Sequence, residues 1–199
     1  PYLLVANSGF APTNVSQLLT LAKSKPGQVY YGSAGVGGLS HLAGALFEIL
    51  AKIEMSHVPY KGAPPALVDL LSGQIQILFS SPLAGQSHVK SGRLKAFGVT
   101  STARMRSMPE VPTIAESGLP GFDVTGWYGV VAPAKVPPNV IAKLNAAIAH
   151  ILQTTEVRDR MIADGAEPAG GTSQAFSAFI AREVDKWRKV VNMAKIRVD

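Results

Sequence analysis

The chain has 199 residues, 47% of them hydrophobic, and its 19 Lys and Arg against 13 Asp and Glu give a net charge of +6. That much apolar material supplies a buried core and excludes a disordered tail. The charges are spread along the sequence apart from one basic cluster, Lys186-Trp187-Arg188-Lys189, so nucleic-acid binding has little support; the modest positive field would favour small anions, but a solvated basic face accounts for it better. Without cysteine there are no disulfides, thiolate nucleophiles or cysteine zinc sites, and no apolar run is long enough for direct membrane insertion.

Tyr2 to Ala6 is a strand-like run with no basic flank or cleavage site before it, so a cut N-terminus is expected, with any signal peptide outside this chain. Val15, Leu18, Leu19 and Ala22 lie at helical spacing after Pro12-Thr13-Asn14, and Pro26-Gly27 ends that helix. Val29 to Tyr31 is a second strand, and Ser40 to Lys52 a strongly apolar helix. A strand at Met55 to Pro59 follows, then a helix opened by Pro64 and Pro65 and stopped at Ser72-Gly73. Ile75 to Phe79, a helix at Pro82 to Lys90 and a strand at Leu94 to Thr100 complete an alternation that predicts βαβ units and a parallel sheet.

From Ser101 to Pro120 the chain reads as irregular, with one short helix near Ile114, and Phe122 to Ala132 reads as extended. Asn139 to Gln153, Glu156 to Asp164 and Gln174 to Lys195 are predicted helices, the last capped by Thr172-Ser173. Helices with no strands between them need an outside surface for their apolar faces. The chain by itself is therefore expected to dimerise or aggregate.

The chemistry concentrates on Ser33-Ala34-Gly35-Val36-Gly37-Gly38-Leu39-Ser40-His41, which joins a strand to a helix. Bare N–H groups and a helix N-terminus at such a turn attract an anion. The spacing Gly35-x-Gly37-x-x-Ser40 comes close to a dinucleotide fingerprint. The ribose-binding acid is out of place, however, since Glu54 precedes the next strand and Tyr60-Lys61 follows it. Anion binding, dinucleotide binding and a merely structural turn all remain open on the pattern alone. Tyr60 and Lys61 close one strand, and Ser80 and Ser81 close another, at the edge where ligands gather in open α/β sheets. Lys61 could equally be a solvated loop lysine, and Ser81 a helix cap. His41, His57, His88 and His150 lack metal-ligand spacing, and no Gly-x-Ser-x-Gly elbow presents a nucleophile. His41 reads as a packed or capping side chain, and Trp127-Tyr128 as packing aromatics. No catalytic residue, metal or cofactor is expected.

Several strings together resemble one family. They are Tyr31-Gly32-Ser33-Ala34-Gly35-Val36-Gly37 with His41-Leu42-Ala43-Gly44, His57-Val58-Pro59-Tyr60-Lys61-Gly62, Pro64 through Gln74, Val111 through Gly118, Gly126-Trp127-Tyr128-Gly129 and Ala132-Pro133-Ala134. These resemble the Bug, or TctC-type, receptors of tripartite tricarboxylate transporters, across essentially the whole chain. The resemblance implies an α/β fold of the type II periplasmic-binding-protein class, with a parallel-rich sheet flanked by helices. Residues 1–124 would be the second lobe, 125–131 a strand crossing the hinge, and 132–199 helices of a first lobe whose amino-terminal part is absent.

It further implies a periplasmic receptor without catalysis that captures a small carboxylate and passes it to membrane transporter subunits. A nicotinamide-dependent enzyme and a sensor recruiting a two-component system stand as alternatives. The ligand-binding candidates are Ser33, Ala34, Gly35, Gly37, Gly38, His41, Tyr60, Lys61, Ser80 and Ser81. Val36, Gly38 and Leu39 stand where the family often carries polar residues, which shifts weight to backbone donors. Ser80 stands where an acid is common, which points to non-amino organic acids.

Overall fold

A computed structural model describes residues 1–197. Its elements are β1 (Leu3–Asn7), α1 (Val15–Ser24), β2 (Tyr30–Ser33), α2 (Leu39–Ala51), β3 (Ser56–Pro59), α3 (Ala63–Ser72), β4 (Ile77–Ser80), α4 (Pro82–Lys90), β5 (Leu94–Val99), α5 (Pro138–Gln153), α6 (Thr155–Ala163) and α7 (Ser173–Met193). The chain divides into two compact units, one of Pro1–Gly126 with Arg188 onward and one of Trp127–Trp187.

In the first unit five strands form one sheet in the order β3-β2-β4-β1-β5. β2 runs parallel to β3 and β4, whereas β1 is antiparallel to both β4 and β5. The α/β class and flanking helices are as expected. The reversal of β1 is a refinement that hydrophobic runs cannot reveal, because they carry no direction. It has a consequence for the site, since it sets Leu3 opposite Ser80 and brings the start of the chain to the carboxyl ends of β2 and β4.

Leu3, Leu4, Val5 and Ala6 are fully buried between the helical layers, and α1 contributes Val15, Leu18 and Ala22, the i, i+3, i+7 stripe of an amphipathic helix. Asn14 caps α1 by accepting the Gln17 N–H. Phe47, Phe79 and Phe122 pack ring against ring at 5.9 to 6.2 Å, joining α2 to β4 and to the segment after the sheet.

The short helix expected near Ile114 does not form. Thr113 and Glu116 do exchange the reciprocal bonds of a capping box, Glu116 N–H to Thr113 Oγ1 and Thr113 N–H to Glu116 Oε2. Gly118, at φ +107, then turns the chain before a second helical turn can be added. The segment is buried all the same through Met105, Met108, Val111, Ile114 and Phe122. Thr100 ties down its end, accepting the Tyr2 N–H at 2.7 Å and donating to the Val124 carbonyl at 2.6 Å.

In the second unit Trp127 meets Phe176 and Phe179 edge-on at 5.6 and 5.5 Å, so this tryptophan packs as read, whereas Tyr128 is fully exposed. Thr172 caps α7 by accepting the Ala175 N–H. Neither α5 nor α6 buries a residue. Residues 125–131, expected as a strand, pair with no strand among the described residues. No helix of the described residues is long and apolar enough to cross a membrane.

Candidate functional site

β2, β3 and β4 are parallel neighbours, so their carboxyl ends share one edge of the sheet, and each leads directly into a helix: α2, α3 and α4. Chain direction reverses across the sheet here, since β2 is followed on one side by β3 while β4 is followed, on the other, by β5. Open α/β sheets place their ligand crevice at such a switch point. A small cavity of about 40 Å³ lies there, lined by Tyr2, Ala34, Ser40, Ala63, Leu78, Phe79, Ser80 and Ser81. It is therefore bounded by the first turns of α2 and α3, the residue before α4, and the end of β4.

The turn between β2 and α2 is built from a set of short-range bonds. Ser40 Oγ accepts the Ala34 N–H at 3.0 Å, Ser33 Oγ accepts the Gly35 N–H at 3.2 Å, and His41 Nδ1 accepts the Gly37 N–H at 3.0 Å. The Gly38 N–H donates to the Gly35 carbonyl at 3.3 Å. Gly37 sits at φ +76, where a side chain would be strained. These four N–H groups, which the sequence offered as ligand donors, are thus spent on shaping the turn. The N–H groups of Val36, Leu39, Ser40 and His41, with those of Ala63 and Leu83 in the first turns of α3 and α4, take no part in these bonds. Pro64, Pro65 and Pro82 occupy neighbouring positions and have no N–H to satisfy.

Behind the turn His57 on β3 stacks on His41 with ring centroids 3.8 Å apart and planes 4° from parallel, and Tyr31 stacks on the far side of His57 at 4.9 Å. His57 Nε2 lies 2.7 Å from Ser33 Oγ. Burial, and then the neighbouring His41, push the His57 pKa down to about 4, and burial lowers that of His41, so both rings are neutral at neutral pH. A neutral His41 that accepts at Nδ1 carries its proton on Nε2.

The ten residues singled out from the sequence separate into groups. Ala34, Ser80 and Ser81 line the cavity. Ser33 is fully buried and held by His57 and Gly35, so it supports the turn from behind. Gly35, Gly37, Gly38 and His41 shape the turn without lining the cavity. Tyr60 gives its hydroxyl to Asp69 at 2.7 Å, and burial with this bond raises its pKa to about 12. Lys61 is exposed on the loop after β3. Ser81 precedes α4 but makes no side-chain cap, leaving its hydroxyl to the cavity; Ser80 Oγ donates to the Ser81 carbonyl at 3.1 Å.

Tyr2, Ser40 and Ala63 line the cavity as well, although the sequence did not single them out as ligand residues. Ser40 was legible as the third position of the glycine fingerprint. Tyr2 depends on the reversal of β1, which leaves no trace in local sequence. His57 belongs to the turn through contacts spanning 24 positions of chain. Among the described residues no group of acidic or histidine side chains is arranged to hold a metal ion.

The open sheet with helices at its carboxyl edge and a crevice at the switch point is the architecture of a periplasmic solute-binding protein. Solved structures share it: one of Rpa4515 from R. palustris with adipate has a TM-score of 0.88 at 31% identity, covering 98% of this chain and 66% of that one. MatC from Rhodopseudomonas palustris, with bound malate, gives 0.81 at 31% identity, covering 96% and 66%, and the periplasmic binding protein BugD 0.82 at 30%, covering 98% and 66%.

The chain belongs to the tripartite tricarboxylate transporter family receptors, the TctC family, whose model matches residues 1–196. A protein of Pseudomonas sp. strain P51, from the tcbD-tcbE intergenic region, is 37% identical over 96% of this chain and 57% of its own length. BugT of Bordetella pertussis is 35% identical over 96% and 59%. The chain thus spans somewhat less than two thirds of these relatives. The family is one of receptors and BugD is a periplasmic binding protein, which favours the receptor reading over the nicotinamide-enzyme alternative.

Proposed function

We propose that this chain carries one face of the carboxylate site of a periplasmic receptor, which captures a small organic acid and presents it to the membrane subunits of a tripartite transporter. One observation carries the reading: the first turns of α2, α3 and the start of α4 converge on a single cavity that no charged side chain lines. N–H groups at helix starts stabilise an anion without a counter-charge. The cavity has room for a carboxylate group rather than a whole organic acid, so the rest of the ligand extends outward. The adipate and malate held by two structural relatives are acids of this kind.

No acidic side chain lines the cavity to receive a ligand ammonium, which favours non-amino acids over aspartate or glutamate. The wider organisation completes the reading. The wider reading takes residues 1–124 as one lobe, 125–131 as the crossing between lobes and 132–199 as belonging to the other lobe, although Arg188 onward groups with the first compact unit. The lack of buried residues on α5 and α6 supports that assignment.

Isothermal titration with adipate, malate, citrate, aspartate and glutamate tests the proposal. Saturable heat is expected with the non-amino acids, and Ser40→Ala, which takes the acceptor from the Ala34 N–H, should weaken it about tenfold. Absence of heat across the whole set, at concentrations where a thermal shift is also absent, would reject it.

A further inference from the structure

The stacked histidines sit outside the cavity, yet two of the four bonds that shape the β2–α2 turn lead back to them. Gly37 N–H ends on His41 Nδ1, and the Ser33 hydroxyl that receives the Gly35 N–H has His57 Nε2 at 2.7 Å. We propose that His41 and His57 are positioning residues, two neutral imidazoles stacked face to face that hold the Ser33–Gly38 turn in its ligand-facing shape and release it when protonated.

The geometry dictates the consequence of each proton. A proton added to His41 must go to Nδ1, where it points at the Gly37 N–H, and the bond becomes a clash of two donors. Ser33 Oγ donates to the Gly35 carbonyl at 3.2 Å, which leaves it to accept from His57 Nε2–H; a proton added to His57 then goes to Nδ1, keeps the Ser33 bond and sets a charge against His41. Charging both rings sets two cations at 3.8 Å.

The surroundings offer no compensation. Tyr31, on the other face of His57, is hydrogen-bonded to Glu48 on α2, and that carboxyl also accepts the Met55 N–H. On α3, Asp69 is taken by Tyr60; β4 has no titratable side chain, and Lys61 after β3 is a further cation. After burial, the charge that lowers the His57 pKa is that of His41.

That the turn serves a ligand rests on the carboxylate reading above, while the histidine hold on the turn stands independently of it. Amide 1H–15N spectra recorded from about pH 7.5 to about pH 4.5, across and below the ordinary histidine pKa of about 6.5, follow the Gly37 N–H directly. The Gly37 resonance is expected to move, and its exchange protection to fall about tenfold or more, with a midpoint below the ordinary value.

In His41→Gln, a non-titrating acceptor at the same third helical position, both should stay fixed. A Gly37 resonance that is still in the wild type, or moves equally in His41→Gln, overturns the proposal. If that variant folds poorly, His57→Asn decides: uncovering His41 should raise the Gly37 midpoint, and an unchanged midpoint counts against the stacked pair.

Binding of adipate and malate at both ends of the range, with His41→Gln as reference for protonation of the acids themselves, tests the link to ligand. The wild type should lose about fivefold more affinity than the variant. Equal losses, with the Gly37 amide released, would overturn the positioning role. If neither acid binds even at neutral pH, the carboxylate reading fails and the amide titration alone decides whether the histidines hold the turn.

Discussion

Two short polar side chains, Ser33 and Ser40, and one imidazole do the local work of the β2–α2 turn, each accepting a backbone N–H that glycine-rich sequence leaves exposed. Burial of His57 beside His41 then couples the region to pH. With the folded His57 at about 4 against an ordinary 6.5, the unfolded chain takes up the proton first as pH falls. Stability is therefore full above 6.5, declines between 6.5 and about 4, and levels off below. His41, also lowered, contributes with the same sign. Melting temperatures measured across this range should show the decline, and His57→Gln should flatten it relative to its own neutral-pH value. A parallel decline in both proteins would remove His57 as its source.

Between elements, α2 fits tightly against β2. A Cβ on Gly44 would stand 2.2 Å from the Tyr31 ring, which itself stacks on His57. Gly44→Ala should consequently cost about 1–3 kcal/mol through overpacking, despite alanine's better helix propensity. Gly170→Ala, with open space around the new methyl, is the neutral control. Urea denaturation of the two variants checks this, and an unchanged midpoint for Gly44→Ala would mean that the helix shifts at no cost. The Thr113–Glu116 capping box teaches the complementary point. Local signals started a helix that Gly118 then stopped, so the segment packs by its apolar side chains instead.

For the molecule as a whole, Val140, Leu144 and Ile151 lie within about 40° of one another around α5 at 100° per residue, and all three are exposed. An apolar stripe of this kind draws a partner surface. Light scattering should find the chain as a dimer or larger species at high concentration, and Leu144→Glu should shift it toward monomer. A clean monomer throughout would show that the stripe tolerates water.

The order of strands and helices through β5, the glycine turn and the family were all legible in the sequence. Apolar runs, Pro-Gly punctuation and a set of distinctive strings are local properties that survive without coordinates. The ligand-facing role of single residues was not legible in the same way. The turn's Gly35, Gly37 and Gly38 looked like open donors, but their N–H groups are consumed within the turn, which only the path of the backbone decides. Tyr2 reaches the cavity because β1 runs against its neighbours, and His57 reaches the turn because β3 lies beside β2. By itself, then, the sequence determined which segments become strand, helix and anion-attracting turn, because propensity and periodicity act over a few residues. The tertiary structure alone decided which side chains face the cavity and which brace it, because strand direction and neighbour order are set by packing across the sheet.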